Sequence, residues 1–276
     1  MIVRLWGLPR LMVERGRLRD GDAVVLIDGR GRRYLKRLRA GHRITVRSVV
    51  IEADGLIDAY EGSLAGRGEA ERFRVFRATF AEIASAIDRP AEPIFAKDAG
   101  TILIRAGIGA GTRVIEAGVG AGTLTVALLS AIGVQGRLAS YELREDFAEV
   151  ARRNVAAYFG EASQWKLTVR DAREGFDERG FDALVADLPD PDILLDPAAA
   201  ALRPGGMLVS YVPTVLQVKQ FHDAFAADER YASLETLEVL ERSWQVSGRS
   251  IRPDHRMIAH TGFLSFARRT SEGHSE

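Results

Sequence analysis

Apolar residues fall in two rhythms along this chain, and the change of rhythm divides it. Residues 22–27 and 33–38 alternate apolar with polar positions, as strands with one buried face do. The turn Asp28-Gly29-Arg30-Gly31 joins them, and residues 44–51 read as a third strand. Over 73–87 the spacing becomes helical, with Phe76, Phe80, Ile83 and Ile87 on one stripe. Asp88-Arg89-Pro90-Ala91-Glu92-Pro93 then reads as a linker.

From Lys97 onward short apolar runs and helical patterns alternate at βαβ intervals. Helices are predicted over 97–106, 123–132, 144–159 and 191–202, and strands over 113–116, 138–142, 168–171, 183–187 and 206–212. Arg203-Pro204-Gly205-Gly206 reads as the turn into the last of these, and 237–246 with 262–268 as an antiparallel pair. The expected fold is α/β, a Rossmann-like sheet behind a small β unit. Domains are expected at 1–72 (small, basic, β) and 97–269 (Rossmann-like), with a helix and linker over 73–96 between them. The polar tail, 270–276, is expected to be disordered.

The strand over 113–116 ends in Glu116, and the loop Gly118-Val119-Gly120-Ala121-Gly122 follows before a helix starts at Thr123. Alternating glycines let the backbone turn sharply and leave room for a ligand against the main chain. A dinucleotide fold spaces them G-x-G-x-x-G to seat a pyrophosphate. Here the third glycine comes one residue early, and Glu116 would repel phosphate while suiting a cationic amino-acid ligand. S-adenosylmethionine (SAM) is such a ligand. Glu142, at the next strand's end and 24 residues past Gly118, is placed to accept ribose hydroxyls, and Asp171 ends a third strand where an adenine amino group would lie. Each acid taken singly is equally suited to capping the next helix.

Composition narrows the partners. Among the first 47 residues thirteen Lys and Arg face four acids, a net of +9, although the 276-residue chain is neutral with 38 of each sign. A basic face for phosphate chains is one reading, with Arg30, Arg32, Arg33 and Arg37 as its candidate contacts; a solvated arginine-rich surface is the other. There is no Cys, which excludes disulfides and a thiol nucleophile, and the five His show no ligand spacing, so no metal is expected. No apolar run approaches the length of a membrane span and no signal peptide is expected, so a cytoplasmic setting is inferred.

The fourth strand ends Asp187-Leu188-Pro189-Asp190-Pro191, placing Asp187 over the same crevice as Gly120 and Glu142. A D-x-P-x-P element is similar to the (Asp/Asn)-Pro-Pro-aromatic element with which amino-methyltransferases grip a planar nitrogen nucleophile. Phe95-Ala96-Lys97-Asp98-Ala99-Gly100, the glycine loop, Ser140-Tyr141-Glu142, Asp187-Leu188-Pro189-Asp190-Pro191 and Arg203-Pro204-Gly205-Gly206 occur in order. Ser210-Tyr211-Val212-Pro213-Thr214, Trp244-Gln245-Val246 and His260-Thr261-Gly262-Phe263-Leu264 follow. Together they resemble the tRNA (adenine-58-N1)-methyltransferase family in its archaeal form, the adenine-57/58 type, with Ala96 where the family carries Pro.

The resemblance implies SAM as methyl donor, tRNA as partner, an N-terminal β-barrel, a class I methyltransferase domain and a homotetramer. It assigns Gly118, Gly120, Ala121, Gly122, Thr123 and Leu124 to the methionine side of SAM, and Glu142 to the ribose. Asp171 falls to the adenine, Asp187 to the target base as catalytic residue, and Phe95 to a place beside that base. Adenine N1 carries no proton at neutral pH, so no base is needed to create the nucleophile; methylation makes the ring cationic, and Asp187 accepting N6–H would stabilise that charge. Two other readings stay open: a SAM methyltransferase acting on a protein or small molecule, and a non-catalytic RNA-binding subunit.

Overall fold

The computed structural model describes residues 16–68, 71–85, 87 and 94–271. The linker 88–93 and residues 272–276 of the expected tail lie outside that range, as do residues 1–15 with Arg4, Arg10 and Arg15 of the basic segment.

The N-terminal unit contains β1 (Ala23–Asp28), β2 (Arg33–Arg37), β3 (Arg43–Val46), β4 (Val49–Glu52), β5 (Leu64–Ala65) and β6 (Phe73–Arg77). An antiparallel sheet of order β2-β1-β6-β5 and the hairpin β3-β4 close on one core that includes Leu18, Leu26, Leu38, Ile44, Val46, Phe73 and Val75. Two expectations change. The third strand is a hairpin, turned at Arg47 with φ 57. The helix over 73–87 is β6 followed by the short α1 (Phe80–Ala84), so the small unit runs past residue 72. Phe73 and Val75 alternate as well as falling near a helical stripe, and the open edge of β1 decides, pairing Val24 to Asp28 with residues 77 to 73. Only past Thr79, whose capping box with Glu82 starts α1, does the helical period hold.

The second unit begins with α2 (Ala96–Arg105) and continues through β7 (Arg113–Ala117), α3 (Thr123–Ile132), β8 (Arg137–Glu142), α4 (Glu145–Tyr158), β9 (Trp165–Val169) and β10 (Phe181–Ala186). Then come α5 (Leu195–Ala201), β11 (Leu202–Val212), α6 (Val215–Ala226), β12 (Tyr231–Glu238), β13 (Trp244–Ser247), β14 (Ser250–Pro253) and β15 (Phe263–Arg269). The seven-stranded sheet has order β12-β15-β11-β10-β7-β8-β9, parallel from β11 to β9. One face packs on Ala99 and Ile102 of α2, Leu128 of α3 and Val155 of α4; the other packs on Ala198 of α5 and Phe221 of α6. β15 pairs with 231–238, not with the expected 237–246, because the chain leaves the sheet after Glu238 and makes the separate hairpin β13-β14. The expected helix over 191–202 opens as a 3-10 turn, Pro191–Leu194, ahead of α5.

Strand order reverses between β7 and β10, and in an open α/β sheet ligands bind beyond the carboxyl ends at such a point.

Candidate active site

A crevice of about 370 Å³ opens at that reversal, within the range of small-molecule sites. Gly118, Gly120, Glu142, Asp171 and Asp187 all line it. They come from the ends of four neighbouring strands, which the parallel register brings to one level.

The glycines hold the loop for different reasons. At Gly118, φ is +83 and a Cβ would lie 2.2 Å from the Asp187 carbonyl oxygen, so β7 and β10 meet there backbone to backbone. Gly122, with φ +81, abuts Ala151 of α4, and Asn154 donates to the Ala121 carbonyl at 2.8 Å. A Cβ on Gly120 would meet nothing within 4 Å; its bareness leaves main chain exposed to the crevice. Ala121, Thr123 and Leu124 do not line the crevice, and Ala121 packs with Ala78, Ile83 and Ile87 instead. Thr123 Oγ1 is buried without a hydrogen-bond partner.

Glu142 is 7% exposed and accepts from Val119 N–H (3.0 Å), Gly120 N–H (3.1 Å) and Arg144 N–H (3.0 Å). Three of its roughly four acceptor positions are therefore filled by backbone. Asp171 caps the turn that follows it, accepting from Arg173 N–H at 2.9 Å, and its other oxygen is held by the Arg173 guanidinium at 2.7 Å. That pairing keeps Asp171 below the usual carboxylate range. Arg173 also lines the crevice, a wall residue the sequence reading passed over although it lies two positions past the strand-end acid. Exposed Leu143 and Ile193 supply apolar wall.

Glu116 does not reach the crevice. Its side chain shares the face of Val114, which α3 covers, so a period of two places it under the helix. It is fully buried, with Thr125 Oγ1 at 2.9 Å and Ser140 Oγ at 2.6 Å on its carboxyl group. Burial, reinforced by the charges of Asp187 and Glu142, pushes it up to about 8. It stays protonated at neutral pH, and its expected place against a ligand ammonium group is corrected to a buried tie between α3 and β8. With the native value above the ordinary 4.5, the contribution is full below pH 4.5 and is lost as pH rises toward 8, at up to about 1.4 kcal/mol per pH unit. Glu116→Gln should therefore flatten the pH dependence of stability between pH 5 and 8. Urea melts of the two proteins across that range check it.

Asp187 is pushed up to about 7, by burial first and by the Glu142 charge second. Its N–H bonds the Ala117 carbonyl at 2.9 Å, so the main chain is held in the ladder at the point where the residue lines the crevice. Phe95 is the N-cap of α2 and does not line this crevice. Of the four basic-patch residues, Arg32 is paired with Asp28 (2.7 Å) and Arg33 lies 3.7 Å from Glu82. Arg37 donates to Gly21 O (3.3 Å) and across the domain boundary to Ala156 O (3.4 Å). Arg30 is exposed at the turn.

The donor set fits SAM: bare main chain at Gly118 and Gly120, the carboxylates Glu142 and Asp171, and apolar Leu143 and Ile193. Fold and site define a class I SAM-dependent methyltransferase. The model of the tRNA methyltransferase complex GCD14 subunit matches residues 84–253, and a TrmI-like N-terminal model matches 16–64. The chain belongs to the tRNA methyltransferase complex GCD14 family.

Its relatives include the tRNA (adenine(57)-N(1)/adenine(58)-N(1))-methyltransferase TrmI of Methanocaldococcus jannaschii, 31% identical over 88% of this chain and 94% of that one. The tRNA (adenine(58)-N(1))-methyltransferase TrmI of Thermus thermophilus is 33% identical over 89% of this chain and 96% of that one. Among solved structures, a SAM-dependent O-methyltransferase from Thermotoga maritima superposes with TM-score 0.83 (27% identity, 93% of this chain, 96% of that one). The tRNA (m1A58) methyltransferase TrmI of Aquifex aeolicus gives 0.78 (25% identity, 92% and 99%).

Proposed function

We propose that this chain transfers the methyl group of SAM to N1 of an adenosine in the T-arm of tRNA, at position 58, with 57 as a second site. The observation that carries the reading is Asp187: an acid immediately after β10 that lines the crevice beside the glycine loop. When bound, SAM supplies an electrophilic methyl group on a sulfonium.

Glu142 and the Gly118–Gly120 main chain would hold the cofactor, with Asp171 and Arg173 at its adenine side. Asp187 acts on the acceptor. As a carboxylate it accepts the N6–H of adenine, fixes the ring plane, and opposes the positive charge that grows on the ring as N1 is alkylated. No proton must leave N1 first, so Asp187 works as an electrostatic partner and not as a base at the nucleophile. The two prolines beside it, Pro189 and Pro191, stiffen the segment that carries it. Phe95 is proposed to stack on the extruded base and Arg30 to meet phosphate, with Arg32, Arg33 and Arg37 joining where tRNA outcompetes their internal partners. Self-association into a homotetramer is supported by exposed apolar residues on the β13-β14 hairpin, Trp244, Val246 and Ile251.

Of the two solved relatives one is an O-methyltransferase and the other a tRNA (m1A58) methyltransferase, and a shared fold does not choose between oxygen and nitrogen. The N-terminal unit and the sequence relatives favour tRNA. Unmodified tRNA incubated with the protein and SAM, then digested and resolved by nucleoside mass spectrometry, should yield 1-methyladenosine. A ribose-methylated nucleoside, or no methylated nucleoside, would overturn the reading.

A further inference from the structure

Outside the lining of the crevice, a buried ion pair and a half-buried threonine make a polar ring that neither the cofactor loop nor Asp187 uses. Lys97, in the first turn of α2, has a side chain only 4% exposed, and that of Asp98 is fully buried. Lys97 Nζ donates to Asp98 Oδ1 (2.9 Å), Asp98 Oδ2 (3.0 Å) and Thr261 Oγ1 (2.6 Å). Thr261 Oγ1 donates in turn to Asp98 Oδ2 at 2.8 Å. Three ammonium protons meet three acceptors, and the hydroxyl both accepts and donates. The ring ties the start of α2 to the loop that leads into β15.

Both segments lie at the catalytic edge of the sheet. The far end of α2, Ile104 to Gly107, sits with Arg203, Gly205 and Arg268 at the opposite edge. A ten-residue helix spans about 15 Å, so Phe95 and Lys97 stand at the edge that holds Asp187. β15 starts opposite Val212, the last residue of β11. Ser210 pairs with Ala186, so Tyr211 is the β11 neighbour of Asp187. A Cβ on Gly262 would come within 2.5 Å of Tyr211 Cζ, which means that the residue after Thr261 rests directly on that ring. His260, before it, is held at 2.7 Å to both Pro213 O and Glu238.

Burying an ion pair is an expensive way to fasten a helix to a loop, since apolar side chains would hold them as well or better. What charged, directional bonds add is a defined angle and depth between the two. We propose that Lys97, Asp98 and Thr261 are positioning residues for the acceptor base. The ring sets Phe95, at the N-cap of α2, against the loop that carries Gly262 and backs Tyr211. These two segments thereby form one rigid wall opposite the cofactor. The inference rests on the reading of the acceptor as a nucleobase.

Thr261→Val tests it, because it removes the hydroxyl at nearly constant shape and leaves the Lys97–Asp98 pair in place. Single-turnover formation of 1-methyladenosine on tRNA should fall about tenfold or more, since small misplacements of a reacting group are costly in rate. SAM affinity by calorimetry and KM for tRNA should stay within about twofold, putting the loss in kcat. Thr261→Ser, which restores the hydroxyl, should recover most of the rate. Should the valine variant fail to fold, Thr261→Ala removes the same hydroxyl with less steric demand and carries the same expectation. Turnover per folded molecule near the wild-type value, or a rate loss that serine does not rescue, overturns the positioning role. Wild-type protein that forms no 1-methyladenosine overturns the acceptor reading and this inference with it, whereas active wild type with an equally active valine variant overturns this inference alone.

Discussion

Asp187→Asn should lower turnover on tRNA by about 10²–10³-fold, the range seen when one preorganised electrostatic contact is removed from a transition state. The amide can still accept N6–H, so base binding should survive and KM should change little. What it lacks is the negative charge, which matters only as the ring becomes cationic, so the loss should appear in kcat. Single-turnover rates at saturating SAM and tRNA measure it. Rates within about threefold of wild type would make Asp187 a structural strand end.

The same residue predicts a pH profile. Burial and the neighbouring Glu142 put Asp187 at about 7, so the free enzyme gains its working carboxylate as pH rises through neutrality. kcat/KM should climb through pH 7 in the wild type and lose that limb in the asparagine variant. Stability should move the other way. A carboxyl group whose native value lies above the ordinary 3.8 contributes least once pH has passed about 7, so at pH 8 the variant should be at least as stable as the parent. A slower enzyme that melts no earlier separates lost chemistry from lost fold.

Much of this site can be read from one dimension because its parts lie where local rules act. A glycine loop between strand and helix, and acids at successive strand ends, need only the alternation of elements to converge, and Gly118, Glu142, Asp171 and Asp187 do line one crevice. Glu116 shows the limit. Its position in the sequence is two residues before the loop, but which face of β7 it occupies depends on α3 lying over Val114. The helical stripe through Phe76 fails for a related reason, since two periods fit the same apolar residues and the unpaired edge of β1 chooses between them. Arg32, Arg33 and Arg37 look alike in a count of charges, yet Asp28, Glu82 and the Ala156 carbonyl already engage them. Arg173 was missed because its value lies in holding Asp171, a pairing that composition does not reveal. Lys97-Asp98 and His260-Thr261-Gly262 were both visible as motifs, but their meeting was not, because Thr261 lies 163 residues from Asp98.

Lys97→Met should destabilise the protein by about 3–5 kcal/mol, because it strands the Asp98 carboxylate, fully buried, with one hydroxyl for company. For a domain of this size that is a fall in melting temperature of roughly 10 °C. The size of the effect would measure the penalty of an unpaired charge and not the worth of the pair, and a second variant separates the two. Lys97→Met, Asp98→Leu and Thr261→Val together replace the ring by apolar side chains and leave no buried group wanting a partner. That protein should regain most of the lost melting temperature. If the ring served only to hold α2 to the loop before β15, turnover would return with stability. If it sets the angle of the wall beside the acceptor base, the triple variant should melt like the wild type and still methylate tRNA about tenfold more slowly.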